Sequence, residues 1–161
     1  MYWKKLGAII TMGIIVFGSS LNVAAEEMEP AGYHVYEVHE DQASDTWYGI
    51  SRGTYLRAAV AKIVKGSAAK YASCSGTTFA HQASDRVYVR IYLDQSDNGS
   101  DGWWTVNYWT GISYDTSTAH VSTADYQITR DKYYRVKGSH SVTEGENLEM
   151  TTTCTTALFF D

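Results

Sequence analysis

The most regular hydrophobic pattern in the chain runs from Arg86 to Asp94, where apolar and polar side chains alternate at every position. The apolar positions are Val87, Val89, Ile91 and Leu93, and the positions between them are Tyr88, Arg90 and Tyr92. Because successive side chains of a strand point to opposite faces, this period of two predicts a half-buried β-strand. The same alternation recurs from Tyr133 to Val142 and predicts a second strand of this kind.

Weaker patterns predict further strands on either side of the first one. Residues 55–71 contain alanines and lysines that imitate a helix, but Gly66 and Ser67 interrupt the run. We interpret this segment as two strands joined by a turn at Lys65-Gly66-Ser67. The polar, glycine-containing segment Gln95–Gly102 predicts a hairpin loop, which leads into another strand at Trp103–Trp109.

The last strand is predicted from Leu148 to Phe160, after a turn at residues 144–147. Its even-numbered positions include Leu148, Met150, Leu158 and Phe160, so we expect them to form the buried face. Cys154 has the same parity, which places it on the buried face as well.

These segments amount to about seven strands, which is the number expected of a sandwich. The chain has a single proline, Pro30, and it is rich in tyrosine and threonine, which favour strands. We predict an immunoglobulin-like antiparallel β-sandwich over residues 47–161. An acidic, mobile lead-in over residues 26–46 would carry at most one short strand. Tyr133 and Tyr134 enter the sixth strand, in the position of the tyrosine corner of such sandwiches.

The first 25 residues have the three parts of a secretory signal peptide. Lys4 and Lys5 supply positive charge, the run Leu6–Phe17 is mostly apolar, and Val23-Ala24-Ala25 has the small residues that signal peptidase accepts. We expect cleavage after Ala25, no membrane insertion afterwards, and a protein that is secreted or held at the cell surface. The alternative is an uncleaved anchor, but the apolar run is shorter than the roughly 20 residues that span a bilayer.

The net charge and the cysteine content indicate which classes of partner to expect and whether the cysteines are oxidised. The net charge is −5 at pH 7, and loss of Lys4 and Lys5 with the signal peptide makes the mature chain more acidic. Nucleic acids and anionic membranes both require a basic face, so neither is an expected partner. Outside the cytoplasm, the two cysteines Cys74 and Cys154 predict a disulfide, with two buried thiols as the alternative.

Several segments of the chain combine strand patterns with turn glycines. In order, they are Arg52-Gly53-Thr54-Tyr55-Leu56, Ser75-Gly76-Thr77-Thr78-Phe79-Ala80, Val87-Tyr88-Val89-Arg90-Ile91-Tyr92-Leu93 and Lys132-Tyr133-Tyr134-Arg135-Val136-Lys137-Gly138-Ser139-His140. This succession resembles a family of small secreted β-sandwich proteins of Gram-positive bacteria, over residues Trp47 to Phe160. The resemblance implies export, a bacterial source and a β-sandwich. The family has no assigned activity, so the resemblance leaves the function open.

The predicted loop after Leu93 resembles the start of a calcium-binding loop. Asp94, Ser96, Asn98 and Asp101 place oxygen-bearing side chains around a glycine and could supply part of the six to eight oxygens that calcium takes. Position 12 of that pattern is Thr105 instead of a glutamate. Polar loops between strands have the same composition for turn formation alone, which is the alternative. No other cofactor is expected.

The sequence contains no recognisable catalytic motif. It lacks H-E-x-x-H, a nucleophile elbow and a glycine-rich phosphate loop. Ser67-Ala68-Ala69-Lys70 and Ser96-Asp97-Asn98 match two motifs of penicillin-interacting serine enzymes, but the third, K-T-G, is missing. His140 lies on the apolar side of its strand, so we interpret it as a core histidine. We therefore predict that the protein is not an enzyme.

Aromatic residues cluster in the strand after the polar loop, at Trp103, Trp104, Tyr108 and Trp109. Adjacent strand residues point to opposite faces, so we expect one of Trp103 and Trp104 in the core and the other exposed. An exposed aromatic ring on a sheet can stack on a sugar or anchor a protein. We predict a non-enzymatic binding module for an extracellular protein or glycan. The alternative is a secreted bacteriocin-like, toxin-like or structural protein.

Overall fold

A computed structural model describes residues 31–50 and 55–161 of the chain. The signal peptide predicted at residues 1–25 lies outside the described residues, as does the lead-in up to Pro30. The described residues form strands and connecting loops without a helix, which confirms the all-β prediction. Within these ranges there is accordingly no helix long and apolar enough to cross a membrane.

The described residues form eight strands, and two of these far exceed the usual length of about five to six residues. In chain order they are β1 (Gly32–His39), β2 (Gln42–Gly49), β3 (Leu56–Lys65), β4 (Tyr71–Ser96), β5 (Trp104–Gln127), β6 (Lys132–Glu144), β7 (Asn147–Cys154) and β8 (Leu158–Phe160). The alternating segment Arg86–Asp94 is the second part of β4. The turn predicted at Lys65-Gly66-Ser67 separates β3 from β4, and the Gly66 N–H donates to the Tyr71 carbonyl at 2.8 Å.

One antiparallel sheet contains all eight strands, and it curls because β4 serves two sets of neighbours. Along one edge of β4, residues 72–80 pair with β3 and residues 86–96 pair with β6. β5 follows the other edge through both parts, with a register irregularity between Phe79 and Ser84. We call the part built on β1, β2, β3 and the start of β4 the first half-sheet. The part built on the end of β4 with β6, β7 and β8 is the second half-sheet.

The inner faces of the two half-sheets enclose the hydrophobic core. Strand β3 contacts β6 and β7 across the interior, and β2 contacts β7. The side chains predicted to be buried from the alternation of β4 are completely buried, namely Val87, Val89, Ile91 and Leu93. They belong to one cluster with residues of the first half-sheet such as Ile63. Full burial of a side chain of this size contributes roughly 1.5–3 kcal/mol, so this stripe is a major source of stability.

Two features of the fold differ from the predicted domain. An immunoglobulin-like sandwich has two separate sheets, whereas β4 and β5 run through both half-sheets, so that architecture is not confirmed. The second difference concerns residues 26–46, where at most one short strand was predicted. Strand β1 and part of β2 lie there, and β2 pairs with β3 from Gln42 to Tyr48. The hairpin of β1 and β2 is therefore part of the domain.

Strand β7 differs from the prediction in parity, and the predicted disulfide is not formed for this reason, whereas Leu158 and Phe160 of β8 are buried as expected. Strand β7 ends at Cys154 and β8 begins at Leu158, so the residues between them interrupt the pattern. In β7 the odd-numbered Thr151 and Thr153 are buried, which turns Cys154 toward the outer surface. Cys74 lies in the core, and both cysteines are free thiols. Burial raises the pKa of the Cys74 thiol to about 12.

Tyr134 forms the hydrogen bonds that were expected of a tyrosine corner. Its side chain is buried, and its hydroxyl accepts from the Thr129 N–H at 2.9 Å and donates to Gln95 Oε1 at 2.6 Å. Its ring packs edge-on against Phe160, with 5.3 Å between centroids. Burial also raises the pKa of the Tyr134 hydroxyl, which therefore stays protonated and able to donate. The corner ties the loop before β6 to the end of β4.

Replacing Tyr134 with phenylalanine is expected to lower the free energy of unfolding by about 1–3 kcal/mol, because Gln95 and the Thr129 N–H lose their partner. Urea denaturation followed by tryptophan fluorescence measures this loss. Tyr133→Phe is the matched control, since the Tyr133 ring packs on Phe159 at 5.0 Å, away from the corner. Equal stabilities of the two variants would contradict the role assigned to the corner.

Candidate functional site

Aromatic and polar side chains cover the outer face of the second half-sheet. Strand β4 contributes the four residues that alternate with its buried apolar side chains, namely Arg86, Tyr88, Arg90 and Tyr92. Their respective partners are Tyr114, Ile112, Thr110 and Tyr108 on β5, and Thr143, Ser141, Ser139 and Lys137 on β6. Directly paired residues of antiparallel strands project from the same face, so these side chains form one surface. We call this surface the Tyr–Arg face.

Arg90 lies between two tyrosine rings at the centre of the Tyr–Arg face. Its Cζ atom is 5.1 Å from the ring centroid of Tyr108 and 5.8 Å from that of Tyr88. Its Nε donates to Thr110 Oγ1 at 2.9 Å. Tyr108 is 57% exposed and also packs 6.2 Å from Tyr92. Because a cation is attracted to the electron-rich face of an aromatic ring, these contacts hold the rings and the guanidinium in place before a ligand binds.

A buried carboxylate lies at one end of the Tyr–Arg face. Asp94 is 1% exposed, and its Oδ2 lies 3.0 Å from Lys137 Nζ and 3.5 Å from Arg135 Nε. The Thr105 hydroxyl donates to Asp94 Oδ1 at 2.7 Å. Arg135 also stacks on Trp103, with 4.1 Å between Cζ and the ring centroid. A buried carboxylate is tolerated only with such partners, so Asp94 positions both cations at this end of the face.

A groove of about 370 Å³ opens beside this carboxylate. It is lined by Tyr92, Thr105, Lys137, Gly138, Ser139, Thr152, Thr153 and Cys154. Burial raises the pKa of the Cys154 thiol, although the nearby Arg135 has the opposite effect. A thiol with a raised pKa is protonated at neutral pH and is a poor nucleophile. The groove therefore suits binding better than covalent chemistry.

The aromatic residues predicted as a binding cluster do not form one surface. Tyr108 belongs to the Tyr–Arg face, and Trp103 lies at its end. Trp109 packs against the core and meets Tyr126 edge-on at 5.2 Å. We expected one of Trp103 and Trp104 to lie in the core. Trp104 is 45% exposed and Trp103 is half-buried, so neither of them does.

Sequence reasoning missed Tyr88, Arg90 and Tyr92 as members of the candidate site. The feature of the sequence that could have identified them is that they occupy the polar positions of the most regular alternation in the chain. That alternation identifies the buried face of one strand, but it contains no information on which strands lie beside it. The site becomes visible only when β5 places Tyr108 next to Arg90 and Tyr92.

The oxygen-bearing residues predicted as calcium ligands are engaged in other contacts. Asp94 contacts the two cations described above. Ser96 Oγ donates to the Asp101 carbonyl at 2.6 Å, and Asn98 Oδ1 accepts from the N–H groups of Ser100 and Asp101 at 2.9 and 3.0 Å. Across residues 31–50 and 55–161, no three His, Cys, Asp or Glu side chains are grouped to hold a metal. These contacts correspond to turn formation, the alternative reading of the loop.

His140 occupies a second polar cluster, inside the core, as expected from its position in the pattern. The Thr78 hydroxyl donates to the Tyr88 carbonyl at 2.7 Å, so it must accept from His140 Nδ1, which lies 2.9 Å away. His140 Nε2 then accepts from the Thr153 hydroxyl at 2.9 Å. Burial lowers the pKa of His140 to about 3, so the ring is neutral at physiological pH. Both ring nitrogens are satisfied, which assigns this histidine a structural role.

Comparison with known families agrees with the resemblance to proteins without an assigned activity. A model described as a family of unknown function (DUF6147) matches residues 21–158. The chain belongs to the DUF6147 family. The DUF6147 match includes β1 to β7 and the first residue of β8, so it contains both half-sheets and the whole Tyr–Arg face. No curated protein and no solved structure matches the chain.

Proposed function

We propose that this protein is exported and acts outside the cytoplasm as a non-enzymatic binding module for an acidic glycan, which lies along the Tyr–Arg face. The observation that carries the proposal is the placement of Arg90 between the rings of Tyr88 and Tyr108 on an exposed sheet surface. The signal-peptide pattern of residues 1–25 supports export.

Tyrosine rings on a sheet suit a sugar chain. One side of a pyranose ring presents C–H groups, which pack favourably on the apolar, electron-rich face of an aromatic ring. Phenol hydroxyls can exchange hydrogen bonds with sugar hydroxyls, and that of Tyr92 already accepts from Arg90. Tyr88, Tyr92 and Tyr108 lie on adjacent strands of an open surface, whereas small molecules are usually enclosed in concave pockets. The open geometry therefore favours a polymer.

The charge of the Tyr–Arg face favours acidic groups on that polymer. Arg86, Arg90 and Lys137 project from this face, and Arg135 lies at its end. The acid at this end, Asp94, is buried and already offset by two of these cations. A basic surface thus lies on a protein whose net charge is −5. Guanidinium groups bind carboxylates through two parallel hydrogen bonds, which suits Arg90 to a uronic acid.

Tyr108→Ala and Arg90→Gln are each expected to weaken glycan binding about tenfold or more, as loss of a central aromatic or arginine contact does at other interfaces. The measurement is an array of acidic and neutral glycans that contains polygalacturonate and its methyl ester. These two polymers share the same sugar ring and differ in charge. We expect binding to polygalacturonate that falls with added salt and much weaker binding to the ester.

Trp104→Ala is the control for this experiment, because Trp104 is an exposed aromatic residue of the same strand outside the Tyr–Arg face. It is expected to bind like the wild type. Equal binding to the charged and esterified polymers would contradict the acidic character of the ligand. A protein that binds no member of the array would contradict the proposed function.

A further inference from the structure

We propose that β1 is a self-association site, at which two copies of this chain join by antiparallel pairing of β1 with β1 about a twofold axis. This surface is independent of the Tyr–Arg face. Strand β1 begins the order of the sheet and pairs with β2 alone among the described strands. Its second edge is therefore open in the described part of the chain.

The hydrogen bonds of the first hairpin show which backbone groups of β1 face the open edge. The Ile50 N–H donates to the Ala31 carbonyl at 3.0 Å, so Ala31 faces β2. The backbone N–H and C=O groups of successive residues point to opposite edges of a strand, and the register from Gly32 to His39 is unbroken. The N–H and C=O groups of Gly32, His34, Tyr36 and Val38 consequently point away from β2. They form a ladder of donors and acceptors that a further strand can complete.

Strand β1 also lacks the features that normally prevent edge-to-edge pairing. Natural edge strands are short, bulged or interrupted by lysine or proline. β1 has eight residues without a lysine, a proline or a bulge, and Glu37 is its one acidic residue. Apolar side chains project from both of its faces, with Tyr36 57% exposed on one face and Tyr33 53% exposed on the other. Such a strand is well suited to strand addition.

Neighbouring contacts hold the side chains of β1 in place. His34 stacks on Tyr36 with 5.8 Å between centroids, and its Nδ1 lies 2.9 Å from Oδ1 of the buried Asp45. On the other face, Tyr33 stacks on Tyr48 at 5.6 Å. Ordering of side chains is one of the costs of association, and these contacts reduce it.

The sequence of β1 is complementary to itself, which is why we assign a second copy as the occupant. Twofold symmetry requires one residue to face its own counterpart, and pairing through outward-facing backbone groups allows this residue to be Tyr36. His34 then lies opposite Val38 of the second copy, and Val35 lies opposite its Glu37. No two like charges are opposed in this register, and the two tyrosines can pack together.

The test compares the molar mass of the mature chain and its variants by sedimentation at about 10 μM, well above the dissociation constant of an ordinary specific interface. We expect the wild type to be a dimer. Tyr36→Pro should be a monomer with unchanged circular dichroism, because it removes an N–H that faces away from β2. Thr46→Ala on β2 leaves the open edge intact and should remain a dimer.

A charge-exchange experiment tests the register without changing the backbone. Tyr36→Lys places two ammonium groups opposite each other at the axis, and Tyr36→Glu places two carboxylates there, so each variant alone should be a monomer. An equimolar mixture of the two should recover the mass of a dimer. A monomeric wild type would overturn the proposal, including the case in which another protein or another part of the chain covers β1. Dimers that persist in Tyr36→Pro and Tyr36→Lys would overturn it as well.

Discussion

Acidification from pH 6.5 to about pH 4 is expected to reduce the free energy of unfolding by about 1.4 kcal/mol per pH unit through His140 alone. The pKa of this histidine is lowered from 6.5 to about 3 in the folded protein. Between these two values the unfolded chain binds a proton that the folded chain does not. The contribution of the neutral His140 to the free energy of unfolding is therefore complete above pH 6.5 and is lost as the pH falls toward 3.

The physical reason is the closed hydrogen-bond arrangement around a fully buried ring. Thr78 has used its proton on a backbone carbonyl, so His140 Nδ1 must donate to it, and His140 Nε2 must accept from Thr153. A second proton would fall on Nε2 and remove its ability to accept. It would also place a positive charge in the core, where the ring contacts no carboxylate of the described residues, and this is costly.

Urea denaturation between pH 7.5 and about pH 4 measures this dependence. The free energy of unfolding of the wild type should fall more steeply with decreasing pH than that of His140→Gln. The difference between the two slopes should be about 1.4 kcal/mol per pH unit, which corresponds to the uptake of one proton. His120→Gln is the control, since His120 is exposed and bonds to Thr77 at the surface. If His140→Gln does not fold, the NMR shifts of His140 in the wild type should show a neutral ring down to about pH 4. Titration of His140 near pH 6.5 would contradict the prediction.

Replacing Gly138 with alanine is expected to lower the free energy of unfolding by about 2–4 kcal/mol. A Cβ atom at this position would overlap His140 Nε2 and Thr153 Oγ1. The imidazole cannot move aside without breaking its bonds to both threonines. Glycine is needed here for space, since the β6 backbone is extended at this point.

Chemical denaturation of Gly138→Ala against Ser139→Ala tests this prediction, because Ser139 is the next residue of β6 and projects toward the outer face. The serine variant should be within about 0.5 kcal/mol of the wild type. Removing the imidazole as well, in Gly138→Ala with His140→Ala, should make the alanine at 138 less costly, because the two residues share one space. Strict additivity of the two changes would show that the methyl group does not meet the imidazole.

Local patterns predicted much of what the structure contains. The alternation of Arg86–Asp94 identified four completely buried side chains of β4, and the same reasoning on β6 placed His140 inside. The position of Tyr134 at the start of β6 indicated the tyrosine corner. These features depend on the period of two and on neighbours close in sequence, which a single chain reveals directly.

The prediction of the last strand failed in β7 because the chain between β7 and β8 changes the parity of the buried positions from odd to even. Leu148 and Met150 suggested an apolar even-numbered face, but in β7 the threonines at odd positions are buried, where Thr153 bonds to His140. A shift of one residue moves every side chain to the opposite face, so Cys154 lies outside while Cys74 lies inside. The disulfide prediction used the extracellular setting and had no access to this shift.

The all-β class, the positions of most strands and the buried side chains of β4 and β6 thus follow from the amino-acid sequence. The folded chain was needed to see that β3 and β6 share β4, that the sheet curls, and that β1 forms an open edge among the described strands. The contact of Tyr108 with Arg90 in the Tyr–Arg face likewise becomes visible only in the folded chain. Burial patterns are local, with a period of two residues, whereas strand neighbours and register depend on contacts between residues far apart in the chain.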